Sequence, residues 1–245
     1  MGRNRPVPNI SDADRAFVRS LLIHEDDDVL AFNKPPGLAV QTAGGRGQSL
    51  DFLLWAFAKS NGKRPRLVHR IDSGTSGVLV VARTQPAAAA LSEEFAKRRA
   101  SKTYLALVSG LIPEGGEGTA AMPLLKVPSD RGGRERMIAA QPGQDGALEA
   151  QTHWKILGRQ GTSALMEARP VTGRMHQIRT HFSEMGCPIL GDRIYGTGKL
   201  SGHRLMLHAA KLAIAHPSGG PLELKATPPT DFVTAAGALG LEVAG

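Results

Sequence analysis

The sequence predicts an α+β fold built on a mixed, mostly antiparallel central sheet. Short apolar runs of strand-forming residues recur along the chain. Most are separated by turns, and only a few segments carry helical spacing. Hairpins therefore outnumber strand-helix-strand repeats, which favours antiparallel pairing over a doubly wound parallel sheet.

The elements follow in order. Residues 1–20 begin polar and Pro-containing and turn weakly helical from Ala13 to Leu22, as expected of an arm or short cap. Two strands are predicted on either side of the acidic turn Glu25-Asp26-Asp27-Asp28, the second being Val29–Asn33. Lys34-Pro35-Pro36-Gly37 ends that strand, because proline restricts its predecessor and glycine permits a sharp turn. A flexible loop is expected over the Gly-rich 42–48, followed by a helix from Ser49 that carries Leu50, Phe52, Leu53, Leu54, Trp55 and Phe57. Val78–Ala82 reads as a core strand. Pro86 suits the first turn of a helix running toward Arg99, with Leu91 and Phe95 on its buried face. Lys102–Val108 is strand-like, and Tyr104 alternates with Thr103 and Leu105, so its side chain points opposite to theirs.

Residues 113–147 are rich in Gly, Pro and charge and suggest irregular hairpins or an insertion that meets a partner. The segments 149–157 and 162–169 form a hairpin across GRQG, with Trp154 a core residue. Thr172 is expected to cap a helix ending at Gly186, whose apolar face carries Met175, Ile178, Phe182 and Met185. Arg174 would then lie in the first turn, where the helix dipole disfavours a cation. That placement points to an anionic partner, Asp72 or a phosphate, or to a simple surface ion pair. Sheet-like segments return at 203–210, 211–216 and 222–224, before an alanine-rich end.

With 245 residues, the chain is long enough to bury a core without covalent staples. The single cysteine, Cys187, excludes an intramolecular disulfide and any multi-cysteine zinc site, and it reads as packing. No apolar run approaches the roughly 20 residues that span a bilayer. MGRNRPVPNI is no secretory signal, so a cytoplasmic location without a membrane partner is expected. Thirty Lys and Arg against twenty-two Asp and Glu give a formal charge of +8, which favours a polyanion, nucleic acid first. The cations cluster: Lys59, Lys63, Arg64, Arg66 and Arg70 occur without an intervening acid, and Lys97, Arg98, Arg99 and Lys102 follow.

Those clusters flank the stretch LVHRIDSGTSGVLVVART at 67–84. It sets Asp72 beside His69 and Arg70, on a hydroxyl- and glycine-rich turn at the mouth of the Val78–Ala82 strand. Such loops, held by a rigid core, are where chemistry is placed. An aspartate there also caps its own turn readily. Metal chemistry is not supported, since His176 and His181 are five apart and no HExxH occurs. GTSGV is not the hydrolase G-x-S-x-G, GGRGQS lacks the lysine and spacing of a P-loop, and no Rossmann fingerprint appears. A glycosidase is weakened by the lack of two carboxylates in comparable contexts.

HRIDSGTSGVLVVAR at 69–83 resembles the HR-[LI]-D-x-x-TSG signature of the RluA-type pseudouridine synthases. LAFNKPPGLAV at 30–40, SKTYLALVSG at 101–110, VTGRMHQIRTHFSEMGCPILGDRIYG at 171–196, RLMLHA at 204–209 and HP at 216–217 continue the likeness in the family's order, from about Ile23 to Thr230. Ile71 and Met175 stand where leucine and threonine are commoner.

The resemblance implies the pseudouridine synthase fold with a catalytic cleft. It assigns 1–20 to the arm, 21–235 to the catalytic domain and 236–245 to a C-terminal tail, with no N-terminal S4-type module. It also implies isomerisation of uridine in structured rRNA or tRNA, by a monomer that needs neither cofactor nor metal. Asp72 matches the catalytic aspartate, Tyr104 the tyrosine that stacks on the base and takes part in proton transfer at C5, and Arg174 the arginine paired with the aspartate. Arg70 matches a residue that contacts RNA near the vacated nucleotide. His69, Lys63, Arg64, Arg66, Arg98, Arg99, Lys102 and His176 complete the expected RNA-contacting set. An RNA-binding protein without turnover is the competing class, and binding alone does not require Asp72, Tyr104 and Arg174 together.

Overall fold

A computed structural model describes residues 8–42, 48–128, 135–196 and 203–243. Most of the Gly-rich loop expected at 42–48, part of the 113–147 insertion and the ends of the arm and the C-terminal tail lie outside these residues. The chain is an α+β protein with a mostly antiparallel central sheet. It divides into two compact units, 1–100 with 213–226 and 101–212 with 227–245.

In the first unit, α1 (Asp12–Ser20) starts at Ser11, whose hydroxyl accepts from the Asp14 N–H. Strands β1 (Leu22–Glu25) and β2 (Val29–Lys34) pair antiparallel across the acidic turn, as predicted. The expected helix after Ser49 is α2 (Leu50–Leu53), which tightens into a 3₁₀ turn over Leu54–Phe57. A short β3 (Arg66–Leu67) pairs with β4 (Ser76–Ala82), which also pairs with β2. Every residue of β4 is buried, so its unbroken apolar run follows from having no solvent face. Each large aliphatic side chain buried there contributes about 1.5–3 kcal/mol. Helix α3 (Gln85–Ala96) is capped by Thr84, carries proline in its first turn and buries Leu91.

In the second unit, β5 (Ser101–Ser109) is followed by β6 (Glu117–Ala120) and the separate hairpin β7 (Leu124–Pro128) and β8 (Glu135–Ala139). The expected hairpin of β9 (Thr152–Gln160) and β10 (Ser163–Pro170) is present, with a register irregularity at Leu165/Met166. The predicted 172–186 helix is shorter than its apolar spacing suggests: α4 spans Gln177–Glu184. Its N-cap is His176, left-handed at φ 52°, and Thr172 bonds the Gln177 side chain instead of capping. Gly186 does end the helix, at φ 80°. The unit's core gathers Leu107, Leu165, Met166, Phe182 and Phe232, and Trp154 packs half-buried against it.

The segments expected at 203–210 and 211–216 merge into one strand, β11 (Leu207–Ala215), whose last residues belong to the first unit and turn back into β12 (Pro221–Lys225). The alanine-rich end forms α5 (Thr230–Ala238). Among the described residues no helix is long and apolar enough to cross a membrane.

The β11–β12 turn is fastened to the β1–β2 turn. Asp26 Oδ2 receives His24 Nε2 at 2.5 Å and His216 Nε2 at 3.1 Å, and its Oδ1 accepts from the Asp28 and Val29 N–H groups. Burial pushes the Asp26 carboxyl up, but the bonds from His24, the two N–H groups and His216 outweigh it and hold the group at about 2. A carboxyl lowered on folding stabilises the fold above its unfolded value, about 3.9, and loses that contribution as pH falls through the folded value. The stability gap between wild type and Asp26→Asn should therefore close as pH falls from about 4 to about 2 in urea unfolding. A gap independent of pH over that range would refute the linkage.

Candidate active site

Asp72 sits on the loop that leads into β4, half-buried, with Thr75 and Ser76 buried behind it. What shapes the loop is Lys34. The last rung of the β2–β4 ladder places Lys34 opposite Gly77, which has φ 111°. The lysine is fully buried, and its Nζ donates to the carbonyls of Pro35 and Leu38 at 2.8 Å and Ser73 at 3.1 Å. The Ser73 carbonyl also accepts from Gly37 N–H at 2.8 Å, and Thr75 N–H closes back on the Asp72 carbonyl at 3.1 Å. A buried ammonium is tolerated only when its hydrogens are bonded, and here the bonds join the 35–38 turn to the residue after Asp72. The aspartate is thus carried on a doubly anchored loop.

The neighbouring His69 is used structurally. Its Nε2 accepts from Val80 N–H at 2.9 Å, which puts the neutral ring's proton on Nδ1, and the ring stacks on Phe95 at 4.4 Å. Arg70 is exposed beside it. Lys63, Arg66 and Arg98 are also exposed, with Arg98 at φ 57° just past α3. Arg64 grips both oxygens of Asp51 and lies over Trp55, and Arg99 pairs with Glu94. The expected cations of this unit therefore divide into exposed groups and groups already engaged within the fold.

Tyr104, Lys102, Arg174 and His176 belong to the other unit. Register places Tyr104 opposite Ala168, which lies opposite Trp154, itself opposite Gly118. Tyr104 therefore shares a sheet face with Trp154, while Leu105 stands in the row of Glu167 on the other face. A Cβ at Gly118 would lie 2.5 Å from the Trp154 ring, so only glycine fits that end of the row.

Arg174 is not in a helical first turn, so the dipole argument does not apply to it. It stands in the turn before α4, with Nε donating to the Glu149 carbonyl at 3.1 Å. Gln177 builds that turn. Its Oε1 accepts from the Thr172 hydroxyl at 2.6 Å and the Arg174 N–H at 3.0 Å, and its amide donates to the Gln151 carbonyl and Thr152 Oγ1. Lys102 Nζ reaches the Thr172 carbonyl at 3.5 Å, bringing the start of β5 to the same turn.

Sequence reasoning gave no role to Lys34 or Gln177. The only available signal was a charge ending an apolar strand and an amide on an otherwise core-facing helix. Cys187 is fully buried, which pushes its thiol up to about 11 and agrees with packing. Among the described residues no group of three or more His, Cys, Asp or Glu side chains could hold a metal. A groove of about 400 Å³ lined by β6, β9 and β10 contains none of the expected site residues.

The chain and its fold are similar to known proteins. Residues 28–184 match the family described as RNA pseudouridylate synthase. The chain is 37% identical over 209 residues to an uncharacterised RNA pseudouridine synthase of Zymomonas mobilis, covering 84% of this chain and 93% of that one. It is 34% identical over 244 residues to ribosomal large subunit pseudouridine synthase D of the same organism, covering 93% and 75%. The structure of human RNA pseudouridylate synthase domain containing 4 superposes with a TM-score of 0.79 at 27% identity, covering 95% of this chain and 99% of that one. The chain belongs to the RNA pseudouridylate synthase family.

Lys34→Met keeps most of the side-chain volume but strips the three carbonyls of their charged donor. It should cost about 2–4 kcal/mol in chemical denaturation. Denaturation unchanged from wild type would show that the loop is held by other means.

Proposed function

We propose that this chain is an RluA-type RNA pseudouridine synthase that isomerises uridines in structured rRNA or tRNA. The observation that carries the proposal is Asp72, held at the head of β4 by the Lys34 and Gly37 bonds within the family-matched span. Four bacterial relatives are named ribosomal large subunit pseudouridine synthase D, which favours large-subunit rRNA as the first substrate to test.

In the reaction the N1–C1′ bond of uridine breaks, the retained uracil turns, and C5 bonds to C1′. The C5 proton leaves and N1 gains one, so nothing is oxidised or reduced and no cofactor is required. Asp72 acts at the sugar, by attack or by assisting departure of the base. Tyr104 holds the base face and helps remove the C5 proton, while Arg174 supplies the cation that serves Asp72. A uridine stacked in RNA cannot reach such a residue, so the nucleotide is flipped out first. Exposed Lys63, Arg66, Arg70 and Arg98 hold the phosphate backbone, and RNA shape supplies much of the selection. The enzyme acts as a cytoplasmic monomer.

Tritium release from separate rRNA and tRNA transcripts labelled at uridine C5 tests the reading. Wild type should release tritium from at least one, and Asp72→Asn should release none while binding RNA within about twofold of wild type. Equal release by Asp72→Asn would end the proposed role of the aspartate. Folded, RNA-binding wild type that releases none from either transcript would favour a noncatalytic RNA-binding protein. Tyr104→Phe keeps the ring and should slow proton release by about a hundredfold. An unchanged rate would remove the hydroxyl from the chemistry.

A further inference from the structure

His176 adopts φ 52°, a left-handed conformation uncommon outside glycine. Two groups fix its backbone, since the Thr180 N–H at 2.9 Å and the Thr180 hydroxyl at 3.1 Å both donate to its carbonyl. Its imidazole is met by Tyr195, whose hydroxyl lies 3.0 Å from Nδ1, with the rings edge to face at 5.6 Å.

Tyr195 is itself held on several sides. Its N–H donates to Asp192 Oδ1 at 3.1 Å, and its carbonyl accepts from Ser183 Oγ at 2.9 Å. The Arg179 guanidinium lies over its ring at 5.2 Å. Arg179 and Asp192 are both buried and joined by two bonds of 2.7 and 2.9 Å, so the base of this arrangement is a bidentate ion pair. The hydroxyl also accepts from the Met137 N–H of β8 at 2.9 Å. Met175, the residue before His176, packs on the small cluster of Leu124, Met137 and Ala150. The turn carrying Arg174 and His176 is therefore tied to the β7–β8 hairpin twice, by Met175 and by the Tyr195 hydroxyl.

Burial pushes the Tyr195 phenol up, outweighing the lowering influence of the nearby Thr180 side chain and of the Met137 N–H, so the phenol keeps its proton at neutral pH. With Met137 donating to its oxygen, that proton is available to Nδ1 of a neutral imidazole. The imidazole's own proton then sits on Nε2. Resting on the RNA pseudouridine synthase reading, we propose that Tyr195 is a positioning residue: its hydroxyl fixes His176 in one orientation and one tautomer, presenting an Nε2–H donor to the RNA. Tyr195 touches neither the RNA nor the reacting atoms and acts only through His176.

Imidazole ¹⁵N shifts and RNA affinity test the two halves of the proposal. In the free wild-type protein at neutral pH, His176 should show the Nε2–H tautomer, and Tyr195→Phe, which keeps the ring beneath Arg179, should show a mixture. An Nδ1–H tautomer in wild type, or an unchanged tautomer in Tyr195→Phe, would overturn the proposal without reference to activity. On the RNA that wild type modifies, Tyr195→Phe and His176→Asn should each weaken binding about tenfold, and Tyr195→Phe should keep its single-turnover rate at saturating RNA within about twofold. Asparagine suits because it tolerates the left-handed backbone and keeps an acceptor at the Nδ1 position while losing the Nε2 donor. The double variant should bind no worse than either single one. Additive losses, or wild-type affinity in Tyr195→Phe, would overturn it. Wild type that turns over no RNA would instead refute the parent reading, and the tautomer result would still decide what Tyr195 does.

Discussion

The buried ammonium of Lys34 is the constraint on which the candidate site rests. A fully buried amine at the end of a strand must find acceptors, and the 35–38 turn folds back and the Ser73 carbonyl lies beside it to supply three. The adjoining prolines and Gly37 make that turn possible, and Gly77 lets β4 begin directly opposite. An aspartate carried on such a loop has lost much of its conformational freedom before any substrate arrives. Catalysis benefits from that, because groups already placed need no ordering in the transition state.

The second unit follows the same principle with a neutral amide and a buried ion pair. Gln177 uses its carbonyl and amide to seat the turn bearing Arg174, and the Arg179–Asp192 pair supports Tyr195 beneath His176. In each unit, buried polar side chains hold the turn that carries the half-buried candidate residues. Burial of an ion pair such as Arg179–Asp192 contributes little net stability compared with apolar packing, but breaking one partner is costly. Its use here is to fix geometry.

Local features were legible in the sequence. The β1–β2 and β9–β10 hairpins, the Ser49 cap, the Pro86 first turn, the Gly186 stop and the alternation that turns Tyr104 away from Thr103 and Leu105 all depend on neighbouring residues, and the structure has them. The start of α4 was not legible. Apolar spacing extends back to Met175, but that residue packs on the β7–β8 hairpin, and the Gln177 side chain replaces the cap expected of Thr172. Nor could spacing show that 203–216 contains one strand, since the pairing that extends it comes from distant residues. Arg64 and His69 read as RNA contacts from charge and proximity to Asp72, yet Asp51, Trp55, Phe95 and the Val80 N–H engage them. Long-range partners of this kind leave no local trace.

The most direct test of the whole account is the nucleoside composition of RNA after reaction. Large-subunit rRNA transcript incubated with the protein, then digested to nucleosides and separated by chromatography, should show a loss of uridine matched by an equal gain of pseudouridine, with no free uracil. Release of uracil without pseudouridine would mean that the glycosidic bond is broken and the base not retained, which contradicts the isomerase reading at its centre.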